Sequence, residues 1–275
     1  MSIEQEDASA PRWIDIGANL TSNQFKRDLD EVIARAEFAG VTRMVVTGTD
    51  AAGSAEALAL ASRTHGLWST AGVHPHHASE LSAAALAELD SMTTQPEVVA
   101  VGECGLDFNR DYSPREDQIA AFEKQLALGA RSGLPMFLHQ RDAHDVFLGM
   151  LRDAWPDLKN GAVVHCFTEG PAEAEDYLDL GCHLGVTGWV CDERRGDALR
   201  AAVPLIPGDR LMLETDAPYL LPRTIEPRPA TRRNEPMHMA WIGRAVAELR
   251  GESVAQVAQQ AWITTSAFFG LDASG

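Results

Sequence analysis

The chain has 275 residues, 45% hydrophobic and 23% charged, proportions of a soluble folded protein that exclude a disordered one. Its formal charge is −17, which opposes non-specific attraction to nucleic acid, so any nucleic-acid role must rest on a local site. No run of about 18 apolar residues marks a membrane span. The acidic opening is unlike a signal or transit peptide. Cys104, Cys166, Cys182 and Cys191 form no C-x-x-C pair, against a structural zinc cluster or disulfide framework. These features predict a cytoplasmic, monomeric protein with no obligate protein partner. They also predict a disordered extension over 1–12 and one domain over 13–272.

Along the chain, short β-rich apolar runs alternate with amphipathic helical ones. Strands are expected at 13–17, 42–47, 68–72, 98–102, 135–139, 161–165, 183–186 and 211–214. Helices are expected at 25–39, 51–65, 83–92, 115–132, 143–154, 172–180 and 197–206, with two more at 237–250 and 254–269. Val98-Val99-Ala100-Val101 and Met44-Val45-Val46 are continuous apolar runs, as in strands covered on both faces. Eight such strands, each followed by a helix, predict an α/β fold, a (β/α)8 TIM barrel with an additional C-terminal helix. An open doubly wound sheet would carry a Gly-rich phosphate loop after the first strand. Asp15-Ile16-Gly17-Ala18-Asn19-Leu20 stands there instead. The proline-rich stretch 217–236 follows the last strand and reads as an ordered functional loop.

Polar residues gather at the strand C-terminal ends, which in a barrel share one rim. Asp15 and Asn19 lie there, with His74, His76 and His77, and then Glu103, His139, His165, Glu214 and Asp216. One histidine after a strand ordinarily packs as a hydrogen-bonded core residue. Two of them with two carboxylates, at equivalent ends of different strands, make a divalent-metal site. Asp216 is preferred over Glu214 as the rim carboxylate, because only Asp216 lies past the apolar run. Asp107 is read as holding its loop together. Cys104 and Cys166 are expected to turn away by strand alternation.

Arginines also concentrate here. Arg223, Arg228, Arg232 and Arg233 stand against one Glu226, and Arg110, Arg141, Arg194 and Arg195 fall in loops after strands. Guanidinium forks match phosphate oxygens, so Arg223 and Arg233 are taken as substrate-binding residues.

Taken together, Asp15-Ile16-Gly17-Ala18-Asn19-Leu20, Gly72-Val73-His74-Pro75-His76, Gly102-Glu103-Cys104-Gly105-Leu106-Asp107, Val164-His165-Cys166-Phe167 and Glu214-Thr215-Asp216-Ala217-Pro218 resemble the TatD family of metal-dependent deoxyribonucleases, a branch of the amidohydrolase-like TIM barrels. The resemblance runs from about Ile14 to Phe269. It implies hydrolysis of DNA phosphodiesters by a 3′→5′ exonuclease acting on single-stranded ends. It implies metal-ligand roles for Glu103, His139, His165 and Asp216, and a substrate-phosphate contact for His74. Most family members open with H-x-H on the first strand. Here Gly17 and Asn19 hold those positions, as in the TatD branch itself. Gly17 cannot ligate through a side chain, and Asn19, with only a neutral amide, is assigned to the substrate. One metal is therefore expected on Glu103, His139 and His165, with a second, weaker ion near Asp216 and Glu103. Mg²⁺ is the first expectation, Mn²⁺ or Zn²⁺ the alternatives.

In the expected chemistry the metal lowers the pKa of a bound water and Asp216 accepts its proton. His74, the metal and rim arginines stabilise charge on the phosphate. Asp216, His74 and Glu103 are thus the expected catalytic residues. An alternative keeps the metal and changes the bond, to an ester or amide such as that of an aminoacyl-tRNA. A third reading is a barrel that only binds, and retention of Glu103, both histidines and Asp216 argues against it.

Overall fold

The computed structural model describes residues 11–271. The expected extension over 1–12 therefore lies outside the described residues except for Pro11 and Arg12. The described chain forms one eight-stranded parallel sheet in sequence order. Its strands are β1 (Trp13–Ala18), β2 (Val41–Val46), β3 (Leu67–Ala71), β4 (Val98–Asp107), β5 (Met136–Arg141), β6 (Ala162–Val164), β7 (His183–Val186) and β8 (Leu211–Leu213). The sheet closes where Ala18 bridges Ala217 and Asp216 N–H donates to Gly17 O at 2.8 Å. The helices are α1 (Leu29–Phe38), α2 (Ala51–Ala61), α3 (Ala83–Met92), α4 (Arg115–Ser132), α5 (His144–Ala154), α6 (Pro171–Leu180), α7 (Asp197–Ala202), α8 (Met239–Arg250) and α9 (Val254–Phe269). The result is the TIM barrel the alternation predicts, with α9 as the additional helix.

Local chemistry sets the helix ends. Asp50 accepts from Gly53 N–H and Ser82 from Ala85 N–H, capping α2 and α3. Each such cap contributes about 1 kcal/mol. Gly133 and Gly181 end α4 and α6 at φ 72° and 100°, a region where a side chain is strained. The helix expected from 25 begins only at Leu29. Phe25 is fully buried, and the Asp28 carboxylate is drawn to Arg233 and Arg35.

Two apolar layers result. Inside the barrel Ile14, Ile16, Val45, Val99, Phe137, Val163 and Met212 pack together, and Phe269 and Leu271 close the bottom. The larger layer lies between strands and helices. Burying each large apolar side chain contributes about 1.5–3 kcal/mol, so the barrel is a rigid base for the polar residues above it.

β4 departs from its expected end at 102 and runs to Asp107. Gly102 and Gly105 make this possible. A Cβ on Gly102 would stand 2.1 Å from Phe137 O, and one on Gly105 1.9 Å from His139 O. Without side chains the two glycines let β4 lie hard against β5. Glu103 is thereby carried to the mouth directly beside His139.

Candidate metal centre

At the C-terminal mouth, three imidazoles converge on one oxygen. Glu103 Oε1 is 2.7 Å from His165 Nε2, 3.0 Å from His139 Nδ1 and 3.2 Å from His74 Nε2. These residues come from β4, from the end of β6, from β5 and from the turn after β3, so only the closed barrel brings them together. Burial pushes the Glu103 carboxyl up. The charge of His165, with hydrogen bonds from His139 and His165, overcomes this and holds it well below the usual carboxylate range.

Each imidazole is held from behind. His165 Nδ1 lies 3.1 Å from Glu214 Oε2, and its ring stacks on Phe137 with centroids 4.4 Å apart. Burial lowers the His165 pKa, but the flanking Glu103 and Glu214 carboxylates raise it well above the usual value. The other ring nitrogen of His139, Nε2, lies 3.5 Å from Asp107 Oδ2. Asp107 also contacts His76 Nε2 at 2.8 Å, and its Oδ1 accepts from the backbone N–H groups of Asn109 and Arg110. It holds its loop, as expected, and it also orients a rim histidine. A carboxylate behind a ligating imidazole fixes the tautomer and raises ligand basicity.

His74 differs. Its Nδ1 accepts from the His76 backbone N–H at 3.0 Å, so the neutral ring carries its proton on Nε2, which faces Glu103. Burial lowers its pKa to about 4, so the neutral form prevails at neutral pH. His74, Glu103 and His139 offer ligand atoms within 4.8 Å of one another. The proton on Nε2 makes His74 a hydrogen-bond donor, whereas His139 and His165, each held between two carboxylates, have raised pKa values and would turn a lone pair to a cation on giving up a proton.

Asp216 stands on the β8 side. Its Oδ1 accepts from Asn19 Nδ2 at 2.9 Å. Burial raises its pKa to about 7, opposed by the charge of His165 and reinforced by Glu103 and Glu214. Asn19 thus orients a carboxylate, a use the sequence reading did not assign to it.

Sequence reasoning passed over Glu214 for Asp216. Glu214 is fully buried, faces His165 and accepts from Cys166 N–H at 2.5 Å. Its carboxylate occupies space that glycines vacate. A Cβ on Gly17 would lie 2.3 Å from its Oε2, and one on Gly185 2.4 Å from its Oε1. Gly17, noted in sequence only as a missing ligand, is the opening into which Glu214 fits. Cys104 is buried as expected, whereas Cys166 is only half-buried, at φ 47°.

The two arginines assigned to substrate part company. Arg233 is committed to Asp28 Oδ1 and Oδ2 (2.8 and 2.7 Å), Glu235 Oε1 (2.7 Å) and Gln24 O (2.9 Å), and its guanidinium lies over the Phe25 ring. The structure places it as a clamp on the end of the 217–236 loop and leaves no free fork for phosphate. The sequence alone does not reveal that Asp28 lies opposite. Arg223 is held loosely, 3.4 Å from Asp192 and 3.5 Å from Glu193, and lines a rim cavity.

Comparison with known proteins matches residues 14–270 to the TatD related DNase family. The chain belongs to that family. It is 53% identical over 261 residues to the 3'-5' ssDNA/RNA exonuclease TatD of Klebsiella pneumoniae, covering 95% of this chain and 99% of that protein. It is 55% identical over 259 residues to the protein of the same name from Erwinia amylovora, covering 94% and 99%. Among solved structures, the TatD homologue YJJV of Escherichia coli K12 superposes with a TM-score of 0.87 at 31% identity, covering 95% of this chain and 99% of that one. A TatD-family hydrolase from Entamoeba histolytica gives 0.85 at 25%, covering 95% and 99%. Like other TatD-family chains, this one is a hydrolase, and the expected barrel and family hold. No helix among the described residues is long and apolar enough to cross a membrane.

Proposed function

We propose that the protein is a metal-dependent exonuclease that removes nucleotides from the 3′ ends of single-stranded DNA. The observation that carries this reading is the convergence of His139 and His165 on Glu103 Oε1, each imidazole backed by a second carboxylate. Family membership and the names of the close relatives support the phosphodiester as the bond cleaved and single-stranded DNA or RNA as the substrate class.

The residues fit a divalent cation. Two imidazoles and a carboxylate converge within hydrogen-bond distance, a donor set suited to Mg²⁺, Mn²⁺ or Zn²⁺. Glu103, His139 and His165 would hold the ion, with Asp216 as the fourth carboxylate of the cluster. A cation there supplies Lewis acidity at a phosphoryl oxygen and a water of lowered pKa. The protein's own groups do the rest. Glu214 and Asp107 fix the imidazole orientations. Asp216, aimed by Asn19 and with a pKa near neutrality, accepts the proton of the attacking water. His74 donates its Nε2 proton in a hydrogen bond to a non-bridging phosphate oxygen, where negative charge grows. The domain comprises 13–272, and the protein works as a cytoplasmic monomer with Mg²⁺ as the first-choice ion.

The test is digestion of 3′- and 5′-labelled single strands with Mg²⁺, Mn²⁺ and Zn²⁺ supplied in turn. Stepwise loss from the 3′ end, abolished by chelation and by Glu103→Ala, is the expected result. Strands left intact with every ion, or cleaved equally by Glu103→Ala, would overturn the reading.

A further inference from the structure

Beside the metal centre lies a second feature that the hydrolytic chemistry does not use. The loops leaving β7 and β8 enclose an open cavity of about 570 Å³, lined among others by Trp189, Arg194, Arg228 and Arg232. The loops are locked together at Gly188, where a Cβ would stand 2.1 Å from Leu220 O. The β8 loop departs directly from the catalytic mouth, since Tyr219 N–H donates to Asp216 O at 2.9 Å. Thr187, just before the cavity wall, lies 4.0 Å from Cys166 Sγ, whose backbone is held by Glu214. Cavity and mouth are thus neighbours on one rim.

The charge distribution of the cavity is unlike that of the rest of the molecule. Elsewhere arginines are mostly spent on carboxylates, as Arg35 and Arg233 are on Asp28 and Glu235, and Arg115 on Asp111. Within 188–195 and 220–232 there are five arginines and three carboxylates, in a chain of net charge −17. Asp192 is buried beneath two of these, holding Arg195 at 2.9 Å and Arg223 at 3.4 Å. The Arg195 guanidinium also lies over the Trp189 ring, 4.2 Å from its centroid. Asp192 and Trp189 therefore build the wall. Among the described residues, the side chains of Arg194, Arg228 and Arg232 have no ion-pair or hydrogen-bond partner. These three exposed guanidiniums line one cavity, so their forks are open to a polyanion that enters it.

We propose that this cavity is a strand-binding subsite, gripping backbone phosphates of the single-stranded substrate several nucleotides from the scissile end. The assignment rests on the nuclease reading for its substrate class. A single-stranded polyanion is the occupant chosen because the cavity is lined from two loops on the rim of the mouth, and its free groups are phosphate-matching forks rather than base-reading amides. The subsite explains how an acidic protein retains a nucleic-acid substrate. Repulsion from the bulk surface is offset locally, and short strands that fail to reach the cavity lose that grip.

The experiment has a kinetic and a binding arm. In the first, kcat and KM are measured with Mg²⁺ on single strands of 3 and 15 nucleotides for wild type, Arg228→Ala/Arg232→Ala and Arg63→Ala, the last an exposed arginine after α2. The double variant should raise KM for the 15-mer by about 10-fold, with kcat and the 3-mer kinetics within about 2-fold of wild type, and it should reduce the salt slope by about 1.4. In the second arm, fluorescence anisotropy of a labelled 15-mer reads binding independently of turnover. The same 10-fold weakening is expected in the double variant, and wild-type affinity in Arg63→Ala. If no strand is shortened by wild type yet the 15-mer binds through Arg228 and Arg232, the nuclease reading fails and the subsite stands. Equal effects on 3-mer and 15-mer, or unchanged 15-mer affinity in the double variant, would overturn the subsite. So would displacement of the 15-mer by inorganic tripolyphosphate at equal phosphate concentration, which would make the cavity a general polyanion site.

Discussion

The two ends of the barrel use charged and aromatic groups in opposite ways. At the bottom, Arg12 and Arg43 lie over the Trp262 ring at 4.3 and 4.8 Å, and Arg43 Nη1 donates to Ser266 Oγ at 3.3 Å. Phe268 and Phe269 pack edge to face beneath the strands. There each cation meets the face of a ring or a hydroxyl, and α9 seals the interior. At the mouth, Glu103, His139 and His165 face one another, backed by Glu214 and Asp107. The bottom pairs its cations with rings and a hydroxyl, and the mouth pairs imidazoles with carboxylates. The bottom cluster is partly open to solvent, with Arg12 exposed, whereas Glu103 and His165 at the mouth are buried. What separates them is burial, which makes a charge at the mouth depend far more strongly on its neighbours.

That contrast can be broken at several points. The largest effect belongs to the shared oxygen. Glu103→Ala should lower kcat/KM by about 10³-fold while leaving the barrel folded, as judged by circular dichroism. A folded variant of unchanged activity would show that the mouth is merely structural. Next come the groups behind the imidazoles. Glu214→Gln should weaken metal affinity about 10- to 100-fold, read by calorimetric titration. Gly17→Ala should do the same, because its new methyl would displace the Glu214 carboxylate. Normal metal binding in Gly17→Ala would deny that Glu214 orients His165.

At the bottom the expected effects are on stability alone. Trp262→Ala, which removes the platform of two guanidiniums, should cost about 2–3 kcal/mol and lower Tm by several degrees, with kcat unchanged. The smallest effect concerns His183 at the start of β7. Burial, aided by the charge of Arg210, lowers its pKa to about 4 from 6.5. The unfolded chain therefore binds a proton between pH 6.5 and 4 that the folded protein refuses. Stability should fall with acidification across that window by up to ~1.4 kcal/mol per pH unit. Thermal unfolding in the presence of a chelator should show this slope in wild type and a shallower one in His183→Gln. Identical slopes would mean that His183 is solvated.

The order of strands and helices was legible throughout, because eight apolar runs punctuated by glycines admit few other folds. The positions of Glu103, His139, His165 and Asp216 at strand ends were legible for the same reason. Their distances were not, nor was the extension of β4, which depends on Gly102 and Gly105 meeting the β5 backbone. The rim arginines divided in a way that no local pattern announces. Arg233 and Arg232 are adjacent in sequence, yet one is consumed by Asp28, about 200 positions away, and the other faces the cavity.

Composition and periodicity by themselves settled that this chain closes a parallel barrel, since burial of continuous apolar strands on both faces requires helices outside and side chains within. Which carboxylate stands behind which imidazole, and which guanidinium remains unspent, was decided only when β1 met β8 and the 217–236 loop folded back on α1. Those pairings join residues far apart in the chain, and the energy of a charge depends on its neighbours in space rather than on its place in the sequence.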